Sequence, residues 1–480
     1  MDYMPLSLII LGLCLSWWLL RPIILYYLAV SKRADNNKSS STAGKLPPGP
    51  RPLPVIGNIL ELGSLPHMSL TKLARVYGPI IRLKLGHITT IVVSSAPMAR
   101  EILQTHDDSF ANRMPPDAIT PFRHDELGVA WVTISPLWRN LRRICNVHLF
   151  ARRTLDSNQH LRRQKIQKLL AQVSKSCETG NPVDIGEAAF IAALNLLGNT
   201  IFSMDLTMDA ASELSVKELK ELVCNVMVEV GRPNMADYFP VLKRVDPQGV
   251  KRRMTDCFQR TFDLFDRIIG ERLRVRSSAV SGASSYNRRK VNDMLDILLD
   301  LAEDKGEEGG IDLYTVKHLF FDLFVAGSDT TASTFEWAMA ELLRNPDKLT
   351  KAQAELEQVM GGRCKVVEES DLARLPYLQA TVKESFRMHP AIPLLLPRRA
   401  GSTKEVGGYT VPEGAQDVQV SILKDDGNPY EDYYCNIMEE SDRPGSPYNL
   451  EKIYEEYQQL LKEDDDNNVQ LESFADSLLM

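Results

Sequence analysis

Residues Asp312 to Arg344 read DLYTVKHLFFDLFVAGSDTTASTFEWAMAELLR and are followed by Asn345 and Pro346. Apolar residues recur there every three or four positions, Asp312 is a favourable N-cap residue, and a residue that precedes proline disfavours the α conformation. These features predict one unbroken helix, about 50 Å long at about 1.5 Å per residue. Because hydrophobic residues surround its middle turns, we expect this central helix to lie in the core.

The middle of the central helix contains the polar segment AGSDTT, residues 326–331. Gly327 costs about 1 kcal/mol relative to alanine, and the hydroxyl of Thr330 can bond the carbonyl of Ala326. Both effects loosen or bend the helix, and a groove with a hydroxyl and a carboxylate suits the binding and protonation of a small polar ligand. A tolerated kink with a polar pair explains the same residues equally well.

The composition describes a large globular chain whose last part is acidic. Of its 480 residues, 44% are hydrophobic and 25% are charged, and the formal net charge is -7. Residues 417–480 hold 17 Asp and Glu against 4 Lys and Arg, so the part before them is mildly basic. The seven cysteines lack zinc-binding spacing, which favours reduced thiols in a protein that faces the cytosol. We expect no nucleic acid partner.

Residues 1–30 predict a membrane anchor. The apolar run of residues 4–20 resumes after Arg21 and continues to residue 30, which is long enough to cross a bilayer, and it lacks the cleavage site of a signal peptide. Arg21, Lys32, Arg33 and Lys38 all follow the first apolar run, so the positive-inside rule orients the body toward the cytoplasm. Residues 31–54 form a linker and a proline-rich hinge, which is either a stiff spacer or a solvated linker of no special role.

Other patterns predict that the body is mainly α with small β-sheets. Two β-branched runs, residues 80–85 and 88–94, are separated by Gly86 and His87 and predict a hairpin. Most of the sequence between this hairpin and the central helix has the spacing of amphipathic helices.

Two pairs of residues have spacings that place each pair on one helical face. Trp138 and Arg142 are four apart, and their hydrogen-bond donors suit a buried carboxylate. Glu384 and Arg387 are three apart on a helical stretch, residues 378–388, and can form an ion pair. Either spacing often occurs by chance. A Glu and an Arg three residues apart more often form an ion pair on the protein surface than a buried one.

Taken together and in order, these motifs resemble the microsomal cytochrome P-450 monooxygenases. The motifs are the proline-rich hinge, WxxxR at residues 138–142, AGxDTT at 326–331, ExxR at 384–387 and HPxxPLLLPR at 389–398. The segment GRPNMADYFPVLKRVDPQG, residues 231–249, resembles more particularly the plant geraniol 8-hydroxylase-like group, whose members oxidise monoterpenoids and other small lipophilic molecules. The resemblance implies a cytochrome P-450-like domain over residues 55–416.

The resemblance also implies cofactors, partners and a location. The protein would be a haem-dependent monooxygenase of terpenoid metabolism, held in the endoplasmic reticulum membrane by one N-terminal anchor with its body in the cytosol. It would receive electrons from an NADPH-dependent reductase and act on a lipophilic small molecule. Asp329 and Thr330 would relay protons to bound dioxygen, beside Ala326 and Gly327.

Further roles are implied for residues outside the polar segment of the central helix. Trp138, Arg142 and Arg398 would hold the haem propionates. Glu384 and Arg387 would form a structural pair behind the haem. Five apolar residues would line the substrate pocket, although each fits core packing at least as well: Phe122, Phe321, Phe324, Leu394 and Leu395.

The resemblance stops near residue 416. The family continues with a strand, a meander and a loop of the form FxxGxRxCxG, whose cysteine thiolate binds the haem iron. We expect none of these in residues 417–480. The only later cysteine is Cys435, and Asn428, Glu431, Tyr433 and Ile437 occupy the positions that the motif fixes, so we expect no metal ligand there.

Two hypotheses about function remain open. The first is an impaired or inactive monooxygenase whose fold is truncated before the cysteine loop, with an acidic tail, residues 417–480, that results from fusion, missplicing or an error in the gene model. The second is a non-catalytic, membrane-tethered interaction protein that binds a partner through that tail. The tail holds a predicted amphipathic helix from Asn449 to Leu461, which is either a partner-binding segment or a disordered end with nascent helix.

Overall fold

The computed structural model describes residues 44–206, 216–280, 293–303, 311–361 and 367–418. The predicted membrane anchor, most of the linker, Cys435 and nearly all of the acidic tail lie outside these residues. The strands are β1 Ile80–Leu85, β2 Ile88–Val93, β3 Arg398–Arg399, β4 Lys404–Val406, β5 Tyr409–Val411 and β6 Gln416–Val418. The α-helices are α1 Pro66–Tyr77, α2 Ala96–Arg100, α3 Asp107–Phe110, α4 His124–Leu127, α5 Pro136–His148, α6 Arg152–Ser157, α7 Gln159–Thr179, α8 Ile185–Phe202, α9 Val216–Gly231, α10 Met235–Tyr238, α11 Val250–Val280, α12 Met294–Glu303, α13 Leu313–Arg344, α14 Pro346–Met360 and α15 Pro376–Met388. The predicted mainly α fold with small β-sheets is confirmed.

The described residues form two compact units, and the first contains all six strands. It comprises residues 44–114, 235–243 and 394–418. The predicted hairpin is confirmed, because β1 and β2 pair antiparallel with Ile80 opposite Val93 and Leu85 opposite Ile88. Strand β6 lies between β2 and β3, and β4 pairs with β5 in a separate two-stranded sheet. Apolar side chains of β1, β2, β4 and β5 pack against α2 and α3 as one core of this unit.

Strand β6 corrects one expectation from the sequence. It begins at Gln416 and continues to Val418, so the expectation that no strand follows Gln416 is wrong. Asp417 lies opposite Ile91 in a parallel pairing with β2 and opposite Arg398 in an antiparallel pairing with β3. The three residues have no strong strand signal of their own, and distant partners hold them in the sheet.

The proline-rich stretch of the first unit lies along the sheets. The carbonyl of Lys45 accepts a hydrogen bond from the backbone N–H of Thr410, and that of Pro48 accepts one from Arg82, both at 2.8 Å. A Cβ atom at Gly49 would lie 2.0 Å from the carbonyl oxygen of Arg82, so only glycine permits this approach. The C-terminal part of the hinge therefore contacts the folded body.

The second unit is helical and is built around α13, the predicted central helix. It comprises residues 115–206, 216–234, 244–280, 293–303, 311–361 and 367–393. The predicted bounds are confirmed: the carboxylate of Asp312 accepts a hydrogen bond from the backbone N–H of Thr315 at 2.7 Å, and the helix ends before Asn345. Most of its middle residues are buried, as the sequence predicts.

Helix α8 packs against the central helix and against α7. Among the described residues it is the one helix long and apolar enough to cross a membrane. More than half of it is buried inside the protein. Its apolar composition is accounted for by this position in the core.

An aromatic cluster fills the space between the central helix, α8 and α11. The rings of Phe258 and Phe321 stack with centroids 4.1 Å apart, and Phe202 and Phe320 meet edge to face at 4.9 Å. Such pairs contribute about 0.5–1.5 kcal/mol each beyond their buried area. A cavity of about 40 Å³ lies beside the cluster, lined by Leu194, Leu206, Leu222, Val223, Val226, Thr261, Leu264, Phe265, Phe321, Phe324 and Val325.

Candidate functional site

Hydroxyl groups in the polar segment of the central helix bond its own backbone. Thr330 Oγ1 donates to the carbonyl of Ala326 at 2.6 Å, as predicted, and Thr331 Oγ1 donates to that of Gly327 at 2.9 Å. Ser328 bonds the carbonyl of Phe324 in the same way. The helix stays continuous through this segment, because these side-chain hydrogen bonds are additional to the backbone hydrogen bonds of the helix and do not replace them.

Ala326 and Gly327 lie on different sides of the central helix. Ala326 is exposed, although the residues of the preceding turn are buried, so the helix has an open surface at this point. A Cβ atom at Gly327 would lie 3.0 Å from Cδ1 of Leu197 in α8. Gly327 therefore permits close packing of the two helices, and its place in an oxygen groove stays a prediction.

The surroundings of Asp329 make its carboxyl a weaker acid than that of an exposed aspartate. Burial raises the pKa of its carboxyl above the ordinary value, and the ammonium of Lys220 opposes that shift. The carboxyl therefore keeps its proton to a higher pH than an exposed aspartate does. The direction of this shift favours the proton-donating role that the family resemblance implies for Asp329.

The predicted pair of Trp138 and Arg142 forms in α5. The guanidinium carbon of Arg142 lies 5.7 Å from the centre of the Trp138 ring, within the range of a cation–π contact. Ser135 caps the helix by accepting a hydrogen bond from the backbone N–H of Trp138 at 3.2 Å. Arg142 is buried, so α5 holds a cation inside the second unit.

A second buried cation, Arg113, accompanies Arg398 in the first unit. Their backbones form a β-bridge, and Arg398 donates to the carbonyl of Phe110 at 3.3 Å and to the carboxylate of Asp107 at 3.5 Å. The side chain of Arg113 donates to the carbonyl of Leu396 at 3.1 Å. Burial and the neighbouring Arg398 lower the pKa of Arg113 to about 9. No local pattern in the sequence marks Arg113, because only the bridge to β3 brings it beside Arg398.

Glu384 and Arg387 form the predicted ion pair on α15. Nε of Arg387 donates to Oε2 of Glu384 at 2.7 Å. The Glu384 side chain is 25% exposed and that of Arg387 is 36% exposed. The pair is therefore at the surface of the described residues, and its role behind a haem stays a prediction.

The candidate pocket residues have different surroundings and stay predictions. Phe321 and Phe324 are buried in the aromatic cluster and line its cavity, and Phe122 contacts Phe262 with ring centroids 5.4 Å apart. Leu394 packs against the core beneath β1 and β2, whereas Leu395 is 40% exposed. The three phenylalanines belong to the second unit, and the two leucines belong to the first.

The residues present fit the carboxylates of a haem better than its iron. The buried guanidinium groups of Arg113 and Arg398 lie close enough for Arg398 to lower the pKa of Arg113, and a bound anion would favour the charged form of both. Burial raises the pKa of Cys145 to about 12 and also raises those of Cys224 and Cys257, so these thiols stay protonated. Within the described ranges, no group of three or more His, Cys, Asp or Glu side chains could hold a metal ion. Burial therefore disfavours the thiolate form at these three cysteines, and the expected absence of an axial ligand stays a prediction.

The fold and these residues define a class. A long core helix that carries an acid and a backbone-bonded hydroxyl, in a mainly helical body with small β-sheets, is the arrangement of a haem-dependent monooxygenase. The chain belongs to the cytochrome P-450 family, and the family match covers residues 47–426. The match extends past Gln416, in agreement with strand β6.

The chain is similar to plant members of the family. It is 50% identical over 380 residues to geraniol 8-hydroxylase of Swertia mussotii, covering 79% of this chain and 74% of that protein. It is 49% identical over 371 residues to geraniol 8-hydroxylase of Catharanthus roseus, covering 77% and 72%. It is also 45% identical over 378 residues to an inactive cytochrome P-450 of Beta vulgaris, covering 79% and 88%. The predicted relation to the geraniol 8-hydroxylase-like group is confirmed.

Proposed function

We propose that the chain descends from a hydroxylase of monoterpenoid alcohols, retains its substrate-binding body and is impaired in oxygenation as its sequence stands. The similarity to geraniol 8-hydroxylase, 50% identity over 380 residues, carries the proposal. The apolar and aromatic surroundings of Phe321 and Phe324 support a lipophilic ligand.

The site residues are proposed to act as the family resemblance implies. Asp329, whose pKa is raised, would supply protons, and Thr330 would present its hydroxyl beside Ala326. Trp138, Arg142 and Arg398 would hold the propionates. In this family, bound haem supplies the activation of dioxygen, and it needs a cysteine thiolate. Because the sequence around Cys435 does not fit that ligand, we propose that this activation is lost or weak.

The location, redox partner and domain limits are part of the same proposal. The anchor of residues 1–30, with the hinge to residue 54, would hold the body of residues 55–416 at the cytosolic face of the endoplasmic reticulum. An NADPH-dependent reductase would be its electron donor. The alternative, a tethered interaction protein acting through residues 417–480, stays a prediction because that tail lies almost wholly outside the described residues.

A chimaera tests the proposal. Residues 1–418 would be joined to the C-terminal segment of the Swertia mussotii geraniol 8-hydroxylase that carries its cysteine loop. Both the 480-residue chain and the chimaera would be incubated in microsomes with reductase, NADPH and geraniol, and oxidised products would be quantified.

We expect product from the chimaera and none above background from the original chain. The matched control is the chimaera with the transplanted cysteine replaced by alanine, which should return to background. Product from the original chain would contradict the proposed impairment. A chimaera that binds haem but oxidises no monoterpenoid would contradict the proposed substrate class.

A further inference from the structure

The cavity of about 40 Å³ in the second unit, named here the four-helix cavity, lies among α8, α9, α11 and the central helix. Ten of its eleven lining residues are apolar. Nine of the eleven are at most 8% exposed. The four-helix cavity is therefore a mostly buried space that hydrocarbon and aromatic groups surround.

The lining offers water almost nothing to bind. Thr261 is the one polar residue among those that line the four-helix cavity. Its hydroxyl donates to the carbonyl of Cys257 at 2.8 Å, so its proton is already used. A buried water needs about two to four polar partners, and an apolar cavity without them stays dry. The lining therefore favours an occupant that makes no hydrogen bonds.

The volume of the four-helix cavity limits the size of that occupant. An engineered apolar cavity of about 150 Å³ in another protein holds one benzene molecule. The four-helix cavity, at about 40 Å³, is much smaller. A monoterpenoid therefore does not fit, whereas a molecule of one or two heavy atoms does. Dissolved diatomic gases are the apolar molecules of that size.

The position of the four-helix cavity connects it to the polar segment of the central helix. Val325 lines the cavity and lies four positions before Asp329, so the two side chains share one face of the helix. This face is directed toward α9, where Val223 also lines the cavity. Burial, followed by the carboxylate of Asp329, raises the pKa of the next residue, Cys224. The cavity therefore lies one helical turn from the acid that we propose as a proton source.

We propose that the four-helix cavity binds one molecule of dioxygen beside the polar segment of the central helix. This inference rests on the proposed function, in which the chain descends from an enzyme that consumes dioxygen. The rings of Phe265, Phe321 and Phe324 give the gas a polarisable contact surface. So small a ligand gains few dispersion contacts, so binding is weak and raises only the local concentration of dioxygen. The site differs from the predicted oxygen groove, because Ala326 does not line it.

Methyl NMR tests this site directly, because dioxygen is paramagnetic and speeds the relaxation of nearby nuclei. Spectra of the full 480-residue chain in detergent micelles, with labelled leucine and valine methyl groups, would be recorded under oxygen and under nitrogen at equal pressure. Nitrogen is also apolar and diatomic but diamagnetic, so it gives the baseline. The relaxation increase at Leu194 and Leu264, which line the cavity, should be several-fold larger than at Leu141 and Leu298, which are fully buried elsewhere in the unit.

A substitution that fills the four-helix cavity should remove this difference. Val226→Ile adds one methylene group to a lining side chain and should lower the relaxation increase at Leu194 and Leu264 to that of the reference leucines. The matched control, Val228→Ile, adds the same group on the same helix where the residue is 52% exposed, and should change nothing. If Val226→Ile does not fold, Val223→Ile alters another lining residue and carries the same expectation.

Two outcomes overturn the inference. The first is a relaxation increase at the lining methyl groups that is no larger than at the reference leucines. The second is a larger increase that persists in a folded Val226→Ile variant, because the gas would then lie outside the cavity. Neither outcome needs haem or turnover, so both leave the proposed function intact. Failure of the chimaera to oxidise a monoterpenoid, in turn, leaves the NMR result unchanged.

Discussion

The Nδ1 atom of His124 lies 2.8 Å from that of His318, although 194 positions separate the two residues in the sequence. The contact holds a strained segment against the central helix. Phe122 and Arg123 have positive φ angles of 56° and 60°, which residues other than glycine adopt at a cost. The contacts of His124 with His318 and Asp322 therefore stabilise a backbone conformation that places the Phe122 ring near Phe262.

Low pH should decrease the free energy of unfolding, because burial lowers the pKa of His318 in the folded protein. Its pKa is about 3 in the folded protein and near 6.5 when unfolded, so the unfolded chain binds the proton more readily. The stability that neutral His318 contributes is full above pH 6.5 and is lost as pH falls toward 3. Each pH unit in that window should remove at most about 1.4 kcal/mol from the free energy of unfolding.

Urea unfolding of the protein and of His318→Gln between pH 7.5 and 5 measures this contribution. The difference in unfolding free energy between the two proteins should shrink as the pH falls, because the variant lacks the titrating group. Parallel pH dependences would show that His318 does not titrate as described.

Removal of Arg272 should strongly destabilise the second unit. Its guanidinium lies 2.8 Å from Oδ1 of Asp293 and 3.0 Å from Oδ2 of Asp296, and both acids are buried. Arg272→Ala leaves these carboxylates without their cation, which costs about 3–5 kcal/mol in comparable buried pairs. Circular dichroism during urea unfolding gives the change in stability.

The matched control is Arg274→Ala on the same helix. Arg274 pairs with Glu271 where both side chains are largely exposed, so solvent screens the attraction. We expect no measurable change there. Equal effects of the two substitutions would contradict the difference in burial.

A side chain at Gly327 should disrupt the contact between the central helix and α8. A Cβ atom there would lie 3.0 Å from Cδ1 of Leu197. Gly327→Val should therefore cost about 1–3 kcal/mol through overpacking. A double-mutant cycle checks this cause, because Leu197→Ala removes the obstructing atoms and should make the combined loss smaller than the sum. Additive losses would mean that the two residues do not meet.

The sequence predicts the features of this protein that depend on near neighbours. Asp312 and Pro346 define the ends of the central helix, the four-residue spacing brings Trp138 to Arg142, and Thr330 bonds the carbonyl one turn before it. Each of these contacts lies within a few residues of its partner. Local propensity and periodicity are sufficient for such features.

Features that depend on distant contacts could not be predicted. Strand β6 exists because β2 and β3 flank it, and Arg113 joins Arg398 only through a bridge between segments 285 positions apart. The contact between His124 and His318 likewise links residues from two parts of the chain. No periodic pattern or motif marks a pairing of this kind, since it is fixed by tertiary packing.

The carbon monoxide difference spectrum of the reduced 480-residue chain, with bound haem quantified in parallel, tests the central claim most directly. The claim is that a cytochrome P-450 body is present without a competent thiolate ligand. We predict no Soret band of the thiolate-ligated type, whether or not haem is retained. A thiolate-type band in proportion to the haem content would contradict the claim and would assign a ligand role to a cysteine such as Cys435.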